Sequence, residues 1–269
     1  MTVSLSPEFS ATSTAVTAAV GAYLLLGEPW LGRRVYASLA RRRDTEPRAL
    51  VGYFTFVLVF WWVLAALAMT VLLFSPAMAA ADLGIALPES PLTAVAVIAV
   101  MVAVSVVSGR QMRALAEGGR NVPGLASIQA MLPRTRQERR LAIAVAVTDG
   151  ICAELVYRGL LIAFGVGVLG LDVYVAAALS VLAYALAGIY QGRSGVIAFG
   201  LVGVLFTGLY LASGSLLLPV AIHIALSVRD LTLPVPEPVE TFTPRANPRA
   251  NPHETPHEPT PHEPTLKGS

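Results

Sequence analysis

The sequence has few charged residues for its length. Only 13% of the 269 residues are Asp, Glu, Lys or Arg, whereas 55% are hydrophobic. Soluble domains are usually about a quarter charged, and one compact core of this length cannot bury so much apolar surface. The shortage of charge therefore excludes an ordinary soluble domain. It predicts an integral membrane protein, because lipid can solvate the apolar side chains that a core cannot hold.

Cysteine is almost absent. Cys152 is the single cysteine, so an intrachain disulfide is excluded and nothing follows about the redox compartment. The first residues include Glu8 and lack Lys and Arg. Because a secretory signal begins with a positively charged segment, we expect no cleavable signal.

Long uncharged runs predict membrane-spanning helices. The clearest run covers residues 49–74, longer than the roughly 20 residues that cross the hydrocarbon core. A second run covers 92–108, and a weaker one covers 11–26. The second half is apolar throughout, and Gly-containing breaks divide it into helices at 139–169, 172–190, 195–213 and 215–232. The predicted fold class is all-α, a polytopic transmembrane helix bundle of about seven spans, since the runs lack the alternation of barrel strands.

Arginine placement predicts the orientation of these spans. Cytoplasmic loops carry the excess of basic residues, and the loop at 75–91 has none. We therefore expect both flanking basic loops and the C-terminus in the cytoplasm, and the protein in the plasma membrane of a bacterium. Binding of lipid head groups or of a partner is an alternative use of the arginines. The two clusters are Arg33, Arg34, Arg41, Arg42, Arg43 and Arg48, and Arg110, Arg113, Arg120, Arg134, Arg136, Arg139 and Arg140.

The composition changes sharply at Pro234. Residues 234–269 are rich in Pro and polar residues and include three Pro-His-Glu repeats. Such a segment cannot bury apolar surface, so we predict a disordered tail, with weak metal chelation by the His-Glu pairs as an alternative. The predicted organisation is N-terminal membrane helices with Arg-rich cytoplasmic loops at 1–138, a four-helix core at 139–233, and the tail.

Four ionisable residues lie inside the predicted spans, where charge is costly. They are Asp149, Glu154, Arg158 and His223. Glu154 and Arg158 are four apart on one helix, so they share a face and can pair. Ser227 follows His223 by one turn on the same face. A purely structural interpretation is a buried ion pair and a hydrogen bond between helices.

Three segments in the same order resemble the motifs of one family. Residues 153–161 read Ala-Glu-Leu-Val-Tyr-Arg-Gly-Leu-Leu and resemble the Glu-Glu-x-x-x-Arg-Gly motif of the CAAX prenyl endopeptidase and bacteriocin-processing family of intramembrane proteases. Residues 182–192 look like its Phe-x-x-x-His motif, with Tyr184 in place of Phe, and 214–227 look like its His-x-x-x-Asn/Asp motif. The resemblance covers about 140–232 and implies intramembrane proteolysis.

The resemblance also implies roles for individual residues. In the family the first Glu activates water with the first His, and the last His and Asn/Asp stabilise the oxyanion or join a metal site. Carried onto this sequence, it implies a catalytic site of Glu154, Arg158, His223 and Ser227. We expect no cofactor and no metal site, because the ligands of the divalent metal that the family can use are incomplete here.

Three motif positions depart from the family pattern. Ala153 stands in place of the first Glu, Gly188 in place of the first His, and Ser227 in place of Asn or Asp. Alanine and glycine side chains can neither exchange a proton nor bind a metal. We therefore predict reduced or absent proteolysis, as in a pseudoenzyme.

Other functions stay open at this point. One is an active peptidase that uses Glu154 with His223, or Asp149 to hold a water. Another is a non-catalytic membrane scaffold or immunity factor that binds a helical or lipidated segment. A transporter or channel is a third possibility, but the sequence lacks the inverted repeat that is typical of transporter folds. We expect membrane lipid and a membrane-embedded or lipidated peptide as partners, and no nucleic acid.

Overall fold

The described part of the chain is mostly helical. The computed structural model describes residues 7–120, 122 and 124–233, and no strand occurs within them. The all-α prediction is confirmed. The α-helices are α1 (Ala11–Ala22), α2 (Glu28–Arg42), α3 (Ala49–Phe74), α4 (Pro91–Glu117), α5 (Leu125–Ile128), α6 (Arg136–Glu154), α7 (Ile162–Gly167), α8 (Val173–Ala187), α9 (Gly192–Ser213) and α10 (Leu217–Leu231).

Five helical segments are long and apolar enough to cross a membrane. They are Ala11–Arg42, Ala49–Phe74, Pro91–Glu117, Arg136–Gly167 and Val173–Ser213. The last of these comprises α8 and α9, which pack against each other, and the 15-residue α10 follows it. The chain is thus an integral membrane protein, while a count of seven spans stays a prediction.

Glycines end the helices of the second half at the three predicted breaks. Gly170, Gly192 and Gly214 have φ values of 63°, 78° and 64°. This left-handed region favours glycine because it has no Cβ to collide with the backbone. The breaks that separate the last four predicted helices are therefore set by local backbone chemistry.

The first helix extends further than predicted. Its α-helical part gives way to a π-helical turn, Tyr23–Gly27, and then continues as α2 to Arg42. The expectation that Arg33, Arg34, Arg41 and Arg42 lie in a loop is wrong. Hydropathy marks where the apolar face ends, whereas a helix continues through polar residues that face water.

The main hydrophobic cluster contains residues from both halves of the sequence. Val20 and Trp61 from the first half pack in the same cluster as Val156, Leu160 and Tyr210 from the second. The N-terminal helices α1 and α3 therefore pack against the predicted four-helix core. The division of the sequence at residue 138 stays a prediction, and the predicted tail at 234–269 lies outside the described residues.

A buried ion pair joins the end of α2 to the start of α6. Both guanidinium nitrogens Nη1 and Nη2 of Arg43 lie 3.0 Å from the carboxylate oxygens of Glu138, and the two side chains are 5% and 2% exposed. Glu138 also accepts hydrogen bonds from the backbone N–H groups of Arg134 and Thr135, and Thr135 caps α6 in return. One carboxylate thus accepts hydrogen bonds from the backbone N–H groups at the start of α6 and also pairs with the Arg43 guanidinium.

We predict that Arg43→Ala lowers the free energy of unfolding by about 3–5 kcal/mol, because it leaves the Glu138 charge buried without its partner. The measurement is thermal or denaturant unfolding of the purified protein in detergent. The control is Arg42→Ala at the adjacent position, where the ion pair with Glu46 is half exposed and is worth at most about 1 kcal/mol. Equal losses for the two variants would contradict this prediction.

Candidate functional site

A π-helical turn, Leu155–Leu161, follows α6, and its residues from Leu155 to Leu160 are buried. Such turns leave a backbone carbonyl without its usual helical partner and are frequent at functional sites. Here the Tyr157 carbonyl oxygen accepts a hydrogen bond from the Ser180 hydroxyl. Gly159 is required because a Cβ there would lie 2.7 Å from the Leu83 carbonyl oxygen. The turn is thereby fixed against the segment that follows α3.

Glu154 and Arg158 form a fully buried ion pair. Arg158 Nη1 lies 3.0 Å from Glu154 Oε1, and both side chains are 0% exposed. The Arg158 guanidinium lies 4.2 Å from the ring centroid of Tyr184, and it also reaches the Gly203 carbonyl oxygen and the Thr207 hydroxyl on α9. A cation this deep is stabilised by the carboxylate, the ring face and the polar groups together.

His223 bridges two carboxylates. Its Nδ1 lies 2.7 Å from Glu154 Oε1 and its Nε2 lies 3.3 Å from Asp149 Oδ2. Since α10 approaches α6 at Gly150, where a Cβ would lie 2.5 Å from Ile224 Cγ1, the glycine allows this bridge to form. An imidazolium would donate to both carboxylates at once.

Asp149 and Ser227 lie on the wall of a cavity of about 450 Å³, together with His223. The Asp149 side chain is 31% exposed, in contrast to the fully buried Glu154. Among the described residues, the Ser227 hydroxyl has no hydrogen-bond partner. Of the predicted site residues, Glu154, Arg158 and His223 therefore form one network, and Ser227 lies beside it on the cavity wall.

Glu28 also lines this cavity, and the sequence interpretation missed it. The residue begins α2, directly after the π-helical turn at Tyr23–Gly27, and its carboxylate accepts a hydrogen bond from the Tyr157 hydroxyl. The predicted span ended at residue 26, which placed Glu28 outside the membrane. An acidic residue only two positions beyond an apolar run is the signal that could have found it.

Ala153 and Gly188, which stand where the motifs of the resemblance have Glu and His, are both closely packed. Ala153 is 0% exposed and lies in the main hydrophobic cluster. At Gly188 a Cβ would lie 2.6 Å from the Gly195 carbonyl oxygen and 2.8 Å from Phe199 Cγ. A histidine at 188 therefore cannot be accommodated unless α9 moves.

The residues of the site do not fit a divalent metal. Both ring nitrogens of His223 face carboxylate oxygens, so the imidazole has no lone pair directed toward an ion. Glu154 Oε1 is shared between Arg158 and His223. Within the described ranges, no group of three or more His, Cys, Asp or Glu residues could hold a metal.

We predict that Arg158→Ala lowers the free energy of unfolding by about 3–5 kcal/mol, because Glu154 loses its partner in a setting without water. Unfolding in detergent measures the loss. Arg193→Ala is the control, since Arg193 is exposed on the neighbouring α9. The prediction fails if Arg158→Ala and the control unfold at the same temperature.

We predict that Gly188→Ala destabilises the fold by about 1–3 kcal/mol, the usual cost of forcing an extra methyl into a packed interior. The matched control is Gly208→Ala on α9, where a Cβ would meet nothing within 4 Å. Thermal unfolding should show a lower Tm for the first variant and an unchanged or higher Tm for the second. An unchanged Tm for Gly188→Ala would contradict the prediction, because it would mean that α9 moves aside at little cost in free energy.

The second half of the chain matches a known family. Residues 136–228 match the family model described as Type II CAAX prenyl endopeptidase Rce1-like. No curated protein and no solved structure matches the chain significantly. The matched segment begins at the start of α6 and ends within α10, and it contains Glu154, Arg158, His223 and Ser227. The resemblance stated from the sequence motifs is confirmed for this segment.

Proposed function

We propose that this membrane protein, whose residues 136–228 form an Rce1-like domain, does not hydrolyse peptides by its motif glutamate and instead binds a ligand in its cavity. The observation that carries this proposal is the state of Glu154. Its carboxylate is fully buried and held by Arg158 and His223, and it is not part of the cavity wall.

A general base must reach the water that it activates. Glu154 Oε1 already faces Arg158 Nη1 and His223 Nδ1, and Oε2 is buried without a hydrogen-bond partner among the described residues. Oε2 does not line the cavity where a substrate water could lie, and a proton taken there would remove the negative charge that balances the buried Arg158. The arrangement favours a structural role for Glu154 over a reactive one.

Ala153 and Gly188 support the same proposal. The family resemblance places the water-activating Glu and its His helper at these positions, and here both are closed by packing. Neither position offers space for a substrate or a water.

We also propose that the protein lies in the plasma membrane of a bacterium, with its C-terminus in the cytoplasm and membrane lipid around its helices.

A second candidate function is hydrolysis through Asp149 and His223. Asp149 faces the cavity and lies 3.3 Å from the imidazole, so it could take a proton from water while His223 supplies one to the leaving amine. Ser227, on the same wall, could donate to the oxyanion. One hydroxyl is a weak oxyanion site compared with the paired donors that such chemistry usually employs, so this candidate ranks second.

We predict that the purified chain in proteoliposomes releases no product from a farnesylated CAAX peptide or from a peptide library. Mass spectrometry of the peptides is the measurement. Each preparation is first shown to be folded by its unfolding temperature, so that loss of structure is not taken for lack of activity.

Three variants tell the outcomes apart. Cleavage that disappears with Glu154→Gln would overturn the proposal in favour of the motif glutamate. If cleavage instead persists in Glu154→Gln and disappears with Asp149→Asn and with His223→Ala, the second candidate function is correct.

A further inference from the structure

We propose that the cavity binds an organic cation, an ammonium or similar group carried on an apolar body. This inference rests on the proposed function, because it names the ligand class of the same cavity. The site consists of Glu28 on α2, Asp149 on α6 and Tyr184 on α8, all on the cavity wall.

The cavity has more carboxylates than cations to balance them. Glu28 and Asp149 lie on its wall, and Glu154 lies behind His223. Arg158 is used by Glu154. His223 carries at most one positive charge, which Asp149 and Glu154 share. Within the described part of the chain, one carboxylate is left without a cation, and such a charge is costly inside a membrane protein unless a ligand or proton neutralises it.

Among the described residues, the other basic side chain on the cavity wall already has hydrogen-bond partners. Arg229 lies at the cavity, but its Nε donates to the Asp230 carboxylate at 2.7 Å and its Nη1 to the Ser108 hydroxyl at 3.2 Å. Among the described residues, an anionic ligand would therefore meet carboxylates and no available basic side chain. This charge distribution favours a cation over an anion.

The wall of the cavity is rich in aromatic rings, which attract cations through their π faces. The tyrosines Tyr23, Tyr53, Tyr184 and Tyr190 lie on it, together with Trp61 and several Phe side chains. Tyr184 is 6% exposed, and its hydroxyl donates to no described residue. One face of its ring already contacts the Arg158 guanidinium, so the hydroxyl oxygen is the part of Tyr184 that a ligand cation would contact.

The volume of the cavity fits this ligand class. About 450 Å³ lies within the range of about 300–1,000 Å³ that small-molecule sites have. Rings supply the apolar surface that the body of the ligand needs, and the two carboxylates fix its charged end. Tyr157, in the π-helical turn, donates a hydrogen bond to Glu28 and so helps to hold its carboxylate on the cavity wall.

The test uses two ions of the same shape and opposite charge, tetraphenylphosphonium and tetraphenylborate. Binding to the full chain in nanodiscs of neutral lipid is measured by equilibrium dialysis, with empty nanodiscs as the baseline for partition into lipid. We expect one saturable phosphonium site per chain and at least about tenfold weaker binding of the borate. Glu28→Gln and Asp149→Asn should each weaken phosphonium binding by about tenfold, as expected when a charge-assisted contact is lost. Glu89→Gln, an exposed acidic position away from the cavity, should leave it unchanged.

Several results would overturn the cation site: no saturable phosphonium binding, equal binding of the two ions, or full affinity in both acidic variants. If a variant fails to fold, the comparison of the two ions on the unmodified chain still decides. Absence of both binding and cleavage would remove the cation site alone. Cleavage by the unmodified chain would overturn the proposed function and leave the cation site to the binding data.

Discussion

The buried pair of Glu154 and Arg158 is the interaction on which the core depends. Two charges without water are stable only when they face each other closely. Arg158 also contacts the Tyr184 ring on α8 and Gly203 and Thr207 on α9. Glu154 Oε1 also faces His223 on α10, whereas Oε2 is buried without a partner among the described residues. Because the pair itself lies where α6 enters its π-helical turn, four helical segments must meet around it.

The same requirement limits the chemistry that this core can perform. A catalytic carboxylate must be available to exchange a proton, whereas a structural carboxylate must keep its ion pair. Glu154 meets the second condition and Asp149, which is partly exposed to the cavity, comes closer to the first. His223 contacts both carboxylates. One imidazole therefore connects the buried ion-pair network to the cavity.

Features that depend on neighbours in sequence could be predicted, and features that depend on the approach of separate helices could not. The breaks at Gly170, Gly192 and Gly214 and the pairing of Glu154 with Arg158 follow from local backbone conformation and helical spacing. The place of Glu28 in the cavity requires α1 and α2 to continue as one helix through a π-helical turn, which hydropathy does not reveal. Likewise, the two contacts of His223 arise only when α10 packs on α6 at Gly150.

The contact between Gly188 and Gly195 restricts which side chains these two positions can carry. A Cβ at Gly195 would lie 2.4 Å from the Gly188 carbonyl oxygen, just as a Cβ at Gly188 would meet the Gly195 carbonyl. The backbones of the two glycines therefore lie too close for a Cβ on either one, and neither glycine can be replaced alone without displacing α9. A Gly188→His change would therefore require a shift of α9 as well as the substitution itself. The close approach couples the two positions, so that a larger side chain at either one depends on where the neighbouring backbone lies.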